Sequence, residues 1–129
     1  MKIEVSNGEV LDKLSILEIK LENIQEKAKL ANVQKEYNAL KQAINKPSWY
    51  EYVFRKYGFY EQLREINETL WEIEDSIRLK EKAQEFDSTF IQLARQVYQT
   101  NDKRAGIKKE ISIYTDSNVL EEKSYEDYA

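Results

Sequence analysis

The apolar positions of this chain fall into helical registers with few interruptions. Within residues 59–85, Phe59, Leu63, Ile66, Leu70, Ile73 and Ile77 recur at alternating steps of four and three, which on a helix makes one continuous apolar seam. Such a seam is buried only against partner helices, so this segment is expected at the centre of the fold. Beside it runs a second stripe, Asn67, Trp71, Glu74 and Arg78, with Asp75 next to it. That stripe is too polar for a core and too regular to be incidental.

Upstream, Ser6 and Glu9 have the spacing of a capping box, which predicts a helix from about Asn7. Val10, Leu14, Leu17, Leu21, Ile24, Ala28 and Ala31 then keep a narrow four-three seam like that of an antiparallel coiled-coil hairpin, widened by Leu11, Ile16 and Ile19. Val33, Tyr37, Leu40 and Ile44 carry the pattern on toward Pro47. Two helices, or one long kinked helix, satisfy it, with Asn32 as the expected interruption. The clearest break is Asn45-Lys46-Pro47-Ser48, because the residue before proline is pushed from helical angles and Ser48 can cap the next segment. Residues 49–60 then hold seven aromatics, and Gly58 marks the turn into the central helix. Two readings stand for these rings: a short helix that plugs one end of the bundle, or an exposed patch that grips a partner protein or stacks on sugar rings.

Asp87 and Ser88 are suitable caps for a further helix, with Phe90, Leu93, Ala94, Val97 and Ile107 toward the core. Its remaining face, Arg95, Tyr98, Asn101, Asp102, Arg104 and Lys108, is basic and rich in hydrogen-bonding groups. Short alternations at residues 2–5 and 111–114 predict two extended pieces lying beside each other. The chain from about residue 115 to 129 is acidic and has no seam, so it reads as a tail that frays or as an arm packed across the bundle. The expected architecture is all-α: an antiparallel helical bundle of three to five helices with long coiled-coil-like helices, in a single domain over residues 1–129.

Composition narrows the chemistry. The chain has no cysteine and no histidine, which removes disulfides, thiolate nucleophiles, the usual proton shuttle near neutral pH and the commonest metal ligand. No metal spacing, phosphate loop or Ser-His-Asp arrangement is present, so neither a metal nor a cofactor is expected. The net charge of −4 argues against nucleic acid. No apolar run approaches a membrane span, and the expected setting is soluble and cytoplasmic. Residues 59–87 carry nine acids against four bases, whereas residues 95–109 carry five bases against one acid. Those two helices are expected to attract each other and to bring Trp71 and Tyr98 to a common place.

Three constellations carry candidate chemistry. Trp71, Glu74, Asp75 and Arg78 form either a salt-bridge layer, with Glu74 paired to Arg78 and Asp75 answered by Arg95 or Arg104, or a polar pocket for an anionic or hydroxyl-rich ligand. Asn101 and Asp102 are unfavourable inside a helix, and either a break or a ligand accounts for them. Glu9, Asp12 and Lys13 suit the start of a helix, where Lys13 can pair with Glu9.

Four stretches in order, EVSNGEVLDKLSILEIKLENI, EINETLWEIEDSIRLKE, FIQLARQVYQTNDKRAGIKKEI and EEKSY, resemble a small family of uncharacterised bacterial proteins, also met in some phages, known only as a domain of unknown function. The family pattern falls on Glu9, Asp12 and Lys13, on Asn67, Trp71, Glu74, Asp75 and Arg78, and on Arg95, Tyr98, Asn101, Asp102 and Arg104. It falls also on Glu121, Glu122, Lys123, Ser124 and Tyr125, which implies that this last segment belongs to the folded unit. The chain departs from the pattern in its aromatic connection, residues 46–60, and at Tyr114, where a polar residue is expected. Members are associated with genes for lipopolysaccharide and other surface glycans, which implies a context and not an activity.

Three functions remain in view. The first is a non-enzymatic accessory or binding module, acting on a partner protein or a glycan-related ligand in surface-polysaccharide assembly, or as a homo-oligomer. The second is a small helical enzyme that clamps an anionic substrate with Arg78, Arg95, Arg104 and Lys13, in the manner of helical chorismate mutases. The third is a structural protein, of a phage for example, that self-associates through its heptad seams.

Overall fold

The computed structural model describes residues 1–44 and 49–128, the side chains of Tyr50 and Tyr52 excepted. Five helices are present among the described residues, and no strand: α1 (Asn7–Asn23), α2 (Lys27–Ala43), a π-helical segment α3 (Tyr50–Lys56), α4 (Phe59–Lys82) and α5 (Ser88–Tyr114). The expected break at residues 45–48, with Ser48 as a cap, lies outside the described residues. The fold is an all-α bundle.

Local chemistry explains most of the helix ends. Ser6 caps α1 by accepting the Glu9 N–H, as its spacing predicts. The Glu9 carboxylate does not return to Ser6; it takes Lys108 from α5. The break between α1 and α2 falls at residues 24–26, not at Asn32. There the Asn23 side-chain amide donates back to the Ile19 carbonyl at 2.7 Å, a local side-chain bond of the kind that competes with helix continuation. Gly58 precedes α4 at φ 62°, a left-handed angle that suits glycine. Asp87 caps α5 by accepting the Phe90 N–H at 3.0 Å. α5 then runs unbroken through Asn101 and Asp102, which removes the helix-break reading of that pair. Residues 111–114 are its last turn and not a strand, because Ile107, Ile111 and Tyr114 also sit at helical spacing and Ile111 is fully buried.

α4 and α5 form an antiparallel hairpin. Lys80 meets Asp87 at the turn, and Phe59 meets Tyr114 at the opposite end. α1 runs against α5 over its first turns and against α4 over its later ones, passing from one arm of the hairpin to the other. Gly8 permits the close start of that passage: its N–H donates to Ser112 Oγ at 2.9 Å, and a Cβ there would stand 2.2 Å from the Lys108 carbonyl oxygen. The core joins Leu11 and Leu14 of α1, Ile44, Trp49, Val53, Phe59, Leu63 and Ile111. Trp49 and Val53 are buried, and Phe54 and Tyr60 pack against the same cluster, so Trp49, Phe54, Phe59 and Tyr60 plug this end of the bundle while Tyr57 stays exposed. Tyr57 and Phe59 contact Tyr114, with ring centroids 4.7 and 5.6 Å apart. The aromatic connection and Tyr114 therefore touch each other.

Beyond Ile73 neither α4 nor α5 has a buried residue until Ile111. The distal half of the hairpin projects, exposing Leu79, Phe86 and Ile91. The stretch after Tyr114 has no regular structure and lies back along α5 as an arm. Glu122 pairs with Lys109 at 3.0 Å, and the Tyr128 ring stands edge-on to Tyr98 with centroids 5.1 Å apart. No helix among the described residues is long and apolar enough to cross a membrane.

Candidate functional site: two clefts flanking one ridge of the last helix

The site grows from one buried carboxylate. Asp12 faces inward from α1 and is 1% exposed. It accepts the Asn67 amide N–H at 2.8 Å from α4 and the fork of Arg104 from α5, Nε at 2.9 Å and Nη2 at 2.5 Å. Asn67 donates also to Ser15 Oγ, which in turn donates to the Asp12 carbonyl. A two-pronged guanidinium contact of this kind fixes both partners in orientation. The Asp12 carboxylate also raises the Arg104 pKa above its ordinary value through that hydrogen bond. Three helices are thus joined at one point, and no buried side-chain polar atom among the described residues lacks a partner.

This network closes one end of an open cleft of about 460 Å³ between α1 and the hairpin. Ile16, Ile19, Leu70, Trp71 and Val97 supply its apolar surface, and Glu74, Asp75 and Arg78 line the α4 side. Seven of the residues singled out in the sequence, Asn67, Trp71, Glu74, Asp75, Arg78, Asn101 and Arg104, therefore meet here. Arg78 donates to Glu74 at 3.2 Å, the pair expected four residues apart. Asp75 is not answered by Arg104, which Asp12 has taken, nor by Arg95, which is exposed and lines neither cleft. Desolvation decides the competition, because a buried carboxylate loses more than an exposed one if left unpaired.

On the other side of Val97 and Asn101 lies a second cleft of about 440 Å³, between α5 and the arm. Tyr98, Asn101 and Asp102 form its helix wall, and Lys123, Tyr125, Glu126 and Tyr128 its arm wall. The Asp102 carboxylate beside the Tyr128 hydroxyl raises the phenol pKa. Lys123 Nζ stands 5.7 Å from the Tyr125 ring centroid. Trp71 and Tyr98 thus line separate clefts that share Val97 and Asn101, in place of the single expected site.

Lys13 stands apart. It pairs with Glu36 of α2 at 2.9 Å and not with Glu9, and this hydrogen bond raises its pKa. The expected attraction between α4 and the basic part of α5 is not made by direct ion pairs among the described residues. Arg104 and Lys108 turn to Asp12, Glu9 and Glu121, while Arg64 of α4 turns to Glu18 and Glu22 of α1 and to Glu68. The sequence reading missed Ile16 and Leu70 as cleft walls, the arm's Tyr128, and the link from Ser6 Oγ to Glu121 at 2.7 Å. Tyr128 alone carried a signal, as an aromatic in an otherwise acidic tail. Among the described residues no group of acids is placed to hold a metal ion.

No curated protein and no solved structure matches the chain. Residues 1–128 match the family of unknown function DUF6165, and the chain belongs to that family.

Proposed function

We propose that the protein is a non-enzymatic binding module whose cleft between α1, α4 and α5 receives a segment of a partner protein. The observation that carries this reading is the make-up of the cleft, a half-buried Trp71 on an apolar floor with charged groups along one side. A centrally placed indole with a polar surround is the composition of a binding hot spot. The Asp12–Asn67–Arg104 network holds the closed end in place before any partner arrives, which lowers the ordering cost of association.

The charges define the occupant. Arg78 and Arg104 are committed to Glu74 and Asp12, whereas Asp75 has no ion pair among the described residues. The complementary segment therefore places an apolar side chain against Trp71 and a basic one beside Asp75. The same commitments weigh against an arginine clamp on an anionic substrate in this cleft. We take the setting to be surface-polysaccharide assembly in the bacterial cytoplasm, the context that the resemblance implies, and the partner to be a protein of that assembly.

A photo-crosslinking phenylalanine analogue at position 71 or 75 is expected to trap one discrete protein in cells. The same analogue at position 95, exposed and outside the cleft, is expected to trap none. Trp71→Ala and Asp75→Lys chains that remain helical should lose that partner. Equal trapping from all three positions, or retention of the partner by both variants, overturns the reading.

A further inference from the structure

Asn101, Arg104, Ala105 and Lys108 fall on one face of α5, and Lys123 reaches them from the arm, so that the five residues line a polar pocket of about 70 Å³. That is several times the roughly 10–15 Å³ that one water needs, and it is on the scale of a single tetrahedral oxyanion. Three cationic side chains line the pocket and no carboxylate does. The acids stand behind the cations and leave part of their hydrogen-bonding capacity free. Asp12 takes the Nε and an Nη2 hydrogen of Arg104, and the Nη1 group reaches only Asn101 Oδ1, at 3.4 Å. Glu9 takes one Lys108 proton, while oxygens of Asp12 and Glu121 lie 3.9 and 3.8 Å from Nζ, beyond hydrogen-bond range. A guanidinium has five N–H groups and an ammonium three, so both side chains keep donors uncommitted to a carboxylate. Lys123 makes no ion pair among the described residues.

The pocket shares Asn101 and Lys123 with the tyrosine-lined cleft beside it. Tyr98, Tyr125 and Tyr128 are 42%, 77% and 57% exposed, which leaves ring surface open next to the cations. Aromatic faces at such a place stack on a base or on the apolar face of a sugar ring. We infer that Arg104, Lys108 and Lys123 bind the phosphate of a phosphate monoester whose ring lies on these tyrosines, as in a nucleotide or a sugar phosphate. This site shares Asn101 and Arg104 with the Trp71 cleft, whereas Lys108, Lys123 and the tyrosines lie outside that cleft's lining, so variants at Lys123 and Tyr125 test it without touching the residues on which the reading of the Trp71 cleft rests.

The test is an amide-resolved NMR titration of the full chain with inorganic phosphate, adenosine monophosphate and glucose 1-phosphate, with sodium chloride at matched ionic strength as the blank. All three phosphates are expected to shift amides centred on residues 101–108, and at least one ester is expected to bind about tenfold more tightly than phosphate. Lys123→Gln should weaken all three about tenfold, the loss of one charge-assisted hydrogen bond. Tyr125→Leu should remove the ester's gain and leave inorganic phosphate unchanged. Both positions lie on the exposed arm, so the helices keep their packing in either variant. The ester that gains shows whether the ring is a base or a sugar. Shifts no larger than the chloride blank overturn the inference. So does phosphate binding that neither ring improves, a gain that survives Tyr125→Leu, or a Lys123→Gln chain that binds as the parent does.

Discussion

Asp12 ties three helices together, because one desolvated carboxylate orients groups from two other helices. Replacing it with alanine would strand the Arg104 guanidinium and the Asn67 amide together. An Asp12→Ala chain is expected to lose about 3 kcal/mol of stability, the lower end for a broken buried pair, since the Arg104 side chain keeps 27% of its surface exposed. An Asp12→Leu, Arg104→Met chain, which removes both charges, should recover most of that loss. Urea unfolding with unchanged slope checks both. Tyr60 makes a second residue-scale case. Its burial, and then its hydrogen bond to Glu18, push the phenol pKa well above the usual tyrosine value. Below about pH 10 both folded and unfolded chains hold this proton, and the contribution of Tyr60 is intact. Above it the unfolded chain releases the proton and the folded one does not, so stability falls by about 1.4 kcal/mol per pH unit from this group. Tyr60→Phe is therefore expected to lose stability less steeply between about pH 10 and pH 12. Parallel slopes for the two chains would show that Tyr60 titrates alike in both states.

At the scale of elements, the α4–α5 turn carries a conformational cost that sequence reading does not reveal. The Glu85 N–H bonds back to the Lys80 carbonyl while Gln84 adopts φ 55°, the left-handed closure that glycine ordinarily fills. Gln84→Gly should stabilise the protein by about 1 kcal/mol, read as a rise in the urea midpoint. No change there would mean that the Gln84 side chain, which donates to the Glu81 carbonyl, offsets its backbone strain. How much of the fold is legible from the sequence depends on the range of the interactions. Ser6, Gly58 and Asp87 act on backbone within a few residues, and their roles can be read from spacing alone. The seam of α4 and the Trp71 stripe are legible for the same reason, because helical period fixes which side chains share a face. The period does not state which helix stands opposite. Lys13 could not be assigned to Glu36, nor Arg104 to Asp12, without the passage of α1 from one arm of the hairpin to the other. Asn67 reads as a member of an exposed stripe and is buried because that passage covers it.

At the scale of the whole molecule, the arm after Tyr114 decides whether the second cleft exists at all. Its root is fastened to the start of α1: Ser117 Oγ accepts the Asn7 N–H at 3.0 Å, and Asn7 donates to Thr115 Oγ1 at 2.9 Å. Farther out it holds on through Glu121 to Ser6, Glu122 to Lys109 and the Tyr128 ring to Tyr98. None of its residues enters the apolar core cluster, and residues 120–128 are all exposed. Exposed ion pairs of this sort contribute little to stability each. A chain ended after Leu120 should therefore keep its helix content by circular dichroism and melt within about 5 °C of the parent. Ser6 would still cap α1, because its hydroxyl accepts the Glu9 N–H without help from Glu121. The Trp71 cleft has no wall from the arm, so tryptophan fluorescence should stay as in the parent. Amide shifts should instead gather on Ser6 and on α5 from Tyr98 to Lys109, the surface the arm lies on. A truncated chain that lost its helices would make the arm part of the folding unit. One whose Trp71 emission moved would couple the two clefts across the shared Val97 and Asn101, and both sites would then have to be read as one.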